Sequence, residues 1–180
     1  GLMTDEDKAA FYDAVIRFGQ RLEVGYPPVK QDPFSGHGPE GQLMRDLMCA
    51  GVAMFDEYPH IYQNTAGRFF KEFITERKFL NSMHCFHEGA HYFSYRMQWD
   101  MFATILFDRM GYPKIFGEEQ LDTMRHYLYV YRPDGYIMEN GNPNNREKTP
   151  GKYATRYPRA FLLGANYWKD PYLKAAGLYM

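Results

Sequence analysis

Apolar positions along this chain recur at helical spacing, not at the alternation of a strand. Phe11, Val15, Ile16 and Leu22 keep to one face of a segment that follows Thr4. The Thr4 hydroxyl can cap a helix there, and Asp5, Glu6 and Asp7 suit the positive end of its dipole. This first helix is predicted to run toward Gly25 and to stop at Tyr26-Pro27-Pro28. A second is predicted over about 40–57 on Leu43, Leu47, Ala50 and Met54, with Tyr58-Pro59 as its breaker. A third covers about 65–80 on Phe69, Phe70, Phe73 and Phe79. The fourth follows Gly89, carries Tyr92, Tyr95, Trp99, Phe102, Ile105 and Leu106, and stops at Gly111-Tyr112-Pro113. A fifth spans about 118–130, ahead of the turn Arg132-Pro133-Asp134-Gly135. Short helices near 158–166 and 170–178 close the chain.

Two stretches break this pattern. Residues 29–39 are rich in Pro and Gly, and residues 136–157 are polar with Gly, Pro and Asn throughout. A connection as long as the second, inside a compact domain, is usually functional or disordered. No run of strands and no repeat stands out. The pattern therefore predicts an all-α fold of helical hairpins, a single α-helical domain over 1–180, with polar side chains gathered at helix ends.

Composition narrows the partners. At 45% hydrophobic and 24% charged, the 180 residues can form a real core. No apolar run approaches the length of ~18 residues that marks a membrane span. A net charge of -1 gives no reason to expect nucleic acid as a bulk partner. Aromatic residues are in excess, with 16 Tyr and 14 Phe, which suits either a Tyr-rich core or a ring-lined carbohydrate cleft. Two cysteines, Cys49 and Cys85, are too few for a disulfide scaffold and lack metal-binding spacing. The opening GLMTDEDK reads as a cut point, so the missing leader says little about location.

Three motifs carry candidate chemistry. His87-Glu88-Gly89-Ala90-His91 is a literal H-E-x-x-H, which on a helix places two His on one face for zinc with Glu as the base. Its context fails one zincin class, because the later Gly and His positions hold Ser94 and Met97. The next helix offers Asp100 and Asp108 but no Glu before Glu118. Gly89 also suits a helix start, and a helix beginning there would not stack His87 over His91. Tyr92 and Arg96, four apart, share a helix face, where an Arg beside the hydroxyl would favour the phenolate and prepare it for proton transfer. The same pairing also occurs as an ordinary stack. In Ser35-Gly36-His37-Gly38-Pro39-Glu40 the flanking glycines suit an exposed His37, and Glu40 near the next helix start would raise its pKa.

Taken in order, G-H-G-P-E in a loop, G-A-H-Y-x-x-x-R opening a helix about fifty residues on, and R-P-D-G after the next helix resemble the heparinase II/III-like polysaccharide lyases. The likeness is nearest to the heparinase II branch and strongest over about 35–140. It implies part of an (α/α) toroid of helical hairpins, completed in the family by a C-terminal β-sandwich region. It also implies cleavage of uronic-acid-containing, heparin- or heparan-sulfate-like polysaccharide by β-elimination. The catalytic positions that match are His37, Glu40, Tyr92 and Arg96. His91 fills a variable position beside the substrate, with Tyr95 and Trp99 as further sugar contacts, and the H-E-x-x-H becomes accidental.

The family runs to several hundred residues, so the resemblance casts this chain as a fragment of a larger lyase that need not be active alone. A further catalytic His and a structural zinc belong to the missing β region, which leaves no metal or cofactor expected here. Glu139-Asn140-Gly141-Asn142 stands where relatives often carry Gly-Asp. Expected partners are the acidic polysaccharide and the missing β region, with no nucleic acid and no membrane. A bacterial periplasmic or secreted location rests on the resemblance alone. The rival readings are a zinc metallopeptidase, a non-catalytic carbohydrate-binding toroid, and an unsaturated glucuronyl hydrolase, for which no acid pair stands out.

Overall fold

The computed structural model describes residues 2–22, 39–132, 137–138 and 158–179. Its helices are α1 (Asp5–Arg21), α2 (Pro39–Gly41), α3 (Met48–Ala53), α4 (Pro59–Arg68), α5 (Ile74–Ser82), α6 (Ala90–Arg109), α7 (Glu119–His126), α8 (Arg159–Trp168) and α9 (Pro171–Tyr179). Two wider π-helical segments, Gln42–Leu47 and Phe69–Phe73, link α2 to α3 and α4 to α5. Among the described residues the only β feature is an isolated antiparallel bridge between Tyr131 and Ile137. The fold is all-α. No helix among the described residues is long and apolar enough to cross a membrane.

The chain divides into two compact units, Gly1–Thr75 and Glu76–Met180. The first unit begins as its sequence predicts. Thr4 caps α1 in a reciprocal box with Asp7, the Asp7 N–H donating to Thr4 Oγ1 at 3.1 Å and the Thr4 N–H to Asp7 Oδ2 at 3.0 Å. Met54 and Ile61 are buried beneath Tyr12, Val15, Ile16 and Tyr58. Helices α3 and α4 approach closely because Gly51 has no side chain: a Cβ there would lie 2.7 Å from the Tyr62 backbone nitrogen. Pro59 does not simply break the preceding helix. It occupies the first turn of α4, where its missing N–H costs nothing, so this helix begins well before the expected residue 65.

The second unit holds its core between α6, α7, α8 and α9. Ala90, Phe93, Met97 and Met101, spaced three and four apart along α6, pack with Phe86, Met124, Tyr127, Ala160, Phe161 and Leu173. Phe93 stacks on Tyr127 with centroids 3.8 Å apart and planes 6° from parallel. Polar bonds tie three helices together inside this unit. Thr123 Oγ1 donates to the Asn81 carbonyl at 3.1 Å, and Thr104 Oγ1 donates to Gln120 Oε1 at 3.1 Å. Leu162 lies against Gly177, and Gly164 against Leu173, so α8 and α9 form an antiparallel hairpin. Helix α7 ends at His126, short of the expected residue 130, and passes into turns. The loops expected over 29–39 and 136–157, and the Arg132-Pro133-Asp134-Gly135 turn, lie almost wholly outside the described residues.

Candidate functional site around the start of helix α6

The stretch from Asn81 to Arg96 is a sequence of defined local choices. Helix α5 closes with the two hydrogen bonds of a Schellman motif: Cys85 N–H to the Leu80 carbonyl at 3.0 Å, and His84 N–H to the Asn81 carbonyl at 2.9 Å. His84 takes the left-handed conformation this needs, with φ of 53°. Phe86 then turns into the core. Its N–H donates to the Tyr127 hydroxyl at 3.1 Å, and the Arg77 guanidinium lies over its ring at 4.6 Å. Gly89 caps α6 at φ 82° and ψ -173°, a conformation open essentially to Gly alone. The helix therefore begins at Ala90.

That boundary decides the geometry of both motifs. His87 and Glu88 lie in the turn, and His91 is the second residue of α6, so H-E-x-x-H does not lie along one helical face. The His91 side chain is outside what the structure describes. Among the described residues, no group of three His, Cys, Asp or Glu side chains could hold a metal ion. Tyr92 and Arg96 do share a face: the Arg96 guanidinium carbon sits 4.7 Å from the centre of the Tyr92 ring.

Around this pair the unit buries charge. Arg96 is 2% exposed, and its guanidinium contacts the Glu88 carboxylate. The His87 imidazole nitrogen lies 3.6 Å from the same Glu88 carboxylate oxygen. Deeper in the unit, Arg77 and Asp100 form an ion pair at 3.0 Å, with the two residues 1% and 0% exposed. Burial raises the Asp100 carboxyl to about 6, against the opposing pull of Arg77. Burial, reinforced by Arg77 and then Arg96, lowers the His87 imidazole to about 4. His87 is therefore neutral at pH 7, flanked by two fixed cations.

The expected site residues fare unequally. Tyr92 and Arg96 come together as the spacing predicts. Tyr95 is half-buried, with Trp99 edge-on at 4.9 Å. Trp99 itself is 5% exposed and belongs to the interior, so it offers no open platform for a sugar. Arg96 is likewise sealed, which leaves direct contact with an anionic sugar out of its reach in this arrangement. Glu40 is buried in the short helix α2 of the first unit, near a helix start as expected. His37 lies outside the described residues.

Sequence reasoning passed over His87, Glu88, Arg77 and Asp100 as members of this arrangement. The available signal was Asp100 inside the apolar run of α6, because an ionised side chain there demands a partner. Compared with known proteins, the chain matches no protein family, no curated protein and no solved structure.

Proposed function

We propose that this chain belongs to a polysaccharide lyase acting on uronic-acid-containing acidic polysaccharide, with its helices forming part of an (α/α) toroid. One observation carries the reading: Tyr92, half-buried on the first turn of α6, lies against the guanidinium of Arg96. A phenol held at a helix start beside a fixed cation is suited to giving and taking a proton. The short connection between α8 and α9 is of the kind that helical hairpins of a toroid use.

The reaction needs three things. The C5 carboxylate of the uronic acid is neutralised, so that its C5 proton becomes acidic. A base removes that proton, the C5–H electron pair becomes the C4=C5 double bond, and the C4–O bond breaks. The leaving glycosidic oxygen takes a proton. In this proposal Tyr92 supplies that proton and serves as base for one C5 epimer. By motif order, His37 is the base for the other epimer, and Glu40 belongs to the same motif. Arg96 acts on Tyr92 from beneath the ring. A bacterial periplasmic or secreted setting, with the acidic polysaccharide as partner, goes with this reading.

Incubation with heparin, heparan sulfate and an unsulfated uronate polysaccharide tests it, read as the near-ultraviolet absorbance of the 4,5-unsaturated uronate. Tyr92→Phe is expected to lower the rate by ~10²-fold or more. Undiminished product from that variant overturns the assignment. Sugar binding without any shortening of the polymer favours a non-catalytic binding module. Stoichiometric zinc, lost on changing His87 or His91, favours a metallopeptidase.

A further inference from the structure

We propose that Glu88 is a positioning residue of the Tyr92 site, its carboxylate fixing the Arg96 guanidinium beneath the Tyr92 ring, with His87 near the same carboxylate oxygen. The contacts form an unbroken series. His87 lies 3.6 Å from the Glu88 carboxylate, the carboxylate meets Arg96, and Arg96 lies 4.7 Å from the Tyr92 ring centre and 5.8 Å from that of Trp99. The guanidinium is thus bounded by two aromatic faces and one carboxylate. A cation so far removed from water needs a counter-charge within contact distance, and the rings supply only part of one.

The turn makes this possible. Glu88 precedes Arg96 by eight residues, which in a continuous helix would separate them by ~12 Å along the axis. Because Gly89 breaks the helix, the chain folds back and brings Glu88 onto Arg96. The His-Glu of the H-E-x-x-H is therefore the partner of the Y-x-x-x-R rather than an accident beside it. Arg96 works through Tyr92, and Glu88 works through Arg96.

This inference rests on Tyr92 as the proton-transfer group only in its consequence for turnover. The positioning itself can be read without substrate. Tyr92 is followed by NMR in chain carrying ring-labelled tyrosine, its signal identified with Tyr92→Phe. The titratable groups of this arrangement are Arg96 on α6, Glu88 and the neutral His87 in the turn, and Arg77 on α5 with its partner Asp100.

Glu88→Gln takes away the group that anchors Arg96, so the Tyr92 ring signals, shifted by the guanidinium seated over the ring, are expected to move and the Arg96 Nη–H signals to merge by free rotation. In a background of Arg96→Met, Glu88→Gln is expected to leave the Tyr92 ring signals in place. Lowered stability with unmoved Tyr92 ring signals would mean that Glu88 only braces the turn, and overturns the proposal. If Glu88→Gln does not fold, the unaltered chain still decides. An anchored Arg96 guanidinium gives separate, slowly exchanging Nη–H signals, and a freely averaging one sinks the idea.

Turnover adds a second reading. Glu88→Gln is expected to change kcat while KM for the polysaccharide stays within about twofold, because a sealed Arg96 does not touch sugar. A raised KM with unchanged kcat contradicts the proposal. If the unaltered chain makes no unsaturated uronate, the lyase reading falls and the Tyr92 and Arg96 signals still judge Glu88.

Discussion

Both units of this chain carry ion pairs that stand in water, but among the described residues only the second withdraws both members of a pair. In the first, Lys8 with Glu57 at 3.4 Å, each close to half exposed, Asp13 with Arg17, and Arg45 with Asp46 at 2.5 Å face solvent, and Arg68 with Glu72 at 3.0 Å is only partly buried. Lys114 with Glu118 and Arg125 with Asp122 are exposed pairs of the second. In the second, Arg77 with Asp100 and Arg96 with Glu88 are withdrawn from solvent. Surface pairs gain little, since water screens them and long side chains lose freedom to hold them. Buried pairs bring a desolvation cost that close geometry only offsets, so they are poor sources of net stability. What they do supply is placement. Each buried arginine has few positions in which its charge is met, and the neighbouring rings are fixed with it.

The sharpest way to break this contrast is to remove one buried partner. Asp100→Leu removes both the charge and the accepting oxygens that face Arg77, and it is expected to cost about 3–5 kcal/mol in urea unfolding. Replacing both members, Arg77→Met with Asp100→Leu, is expected to recover much of that loss. Glu57→Gln in the first unit is expected to leave the unfolding midpoint in place. If the single Asp100 change proves as mild as the Glu57 change, the second unit does not depend on its buried charge.

Next in size is the turn that delivers Glu88. Gly89→Ala forces a side chain into a backbone conformation reserved for Gly, at a cost of about 1–3 kcal/mol. Its counterpart in the first unit, Gly51, is needed for a different reason, the close approach of the Tyr62 backbone. The discriminating readout is local. Gly89→Ala is expected to disturb the Tyr92 and Arg96 signals in an NMR spectrum, whereas Gly51→Ala is expected to leave them alone. Disturbance of Tyr92 by both, or by neither, would remove the special place given to Gly89.

How much of this the sequence carried depends on range. Thr4 with its acids, the stop at Gly111-Tyr112-Pro113 and the start at Gly89 are local choices, and each lies where the residues indicate. Pro59 was ambiguous because one residue can end a helix or open the next, and the aromatic run after it drew the expected start too far on. The π segments Gln42–Leu47 and Phe69–Phe73 have no sequence signature of their own. Within the site, Tyr92 and Arg96 were legible because four residues is a helical repeat. Glu88 is eight residues from Arg96, twice the reach of that rule, and Arg77 and Asp100 lie on separate helices. Their pairing follows from tertiary packing, which no spacing encodes.

The smallest expected effect concerns pH, and it tests whether the turn belongs electrostatically to the buried pairs. His87 titrates near 4 in the fold and at 6.5 when unperturbed, so folding disfavours its proton. Its contribution to stability is full above pH 6.5 and is lost as pH falls toward 4. Asp100 runs the other way. Its carboxyl is raised from 3.8 to about 6, so the fold favours its proton, and stability rises as pH falls through that window. The two therefore oppose each other across nearly the same range. His87→Gln removes one side of the balance. Between pH 6.5 and 4 the variant is expected to gain stability relative to the unaltered chain, on the order of 1 kcal/mol once screening of the partly exposed ring is allowed for. Parallel stability curves across that range would mean that neither burial nor the two arginines lowers the His87 imidazole, and the electrostatic link between the turn and the buried core would be lost.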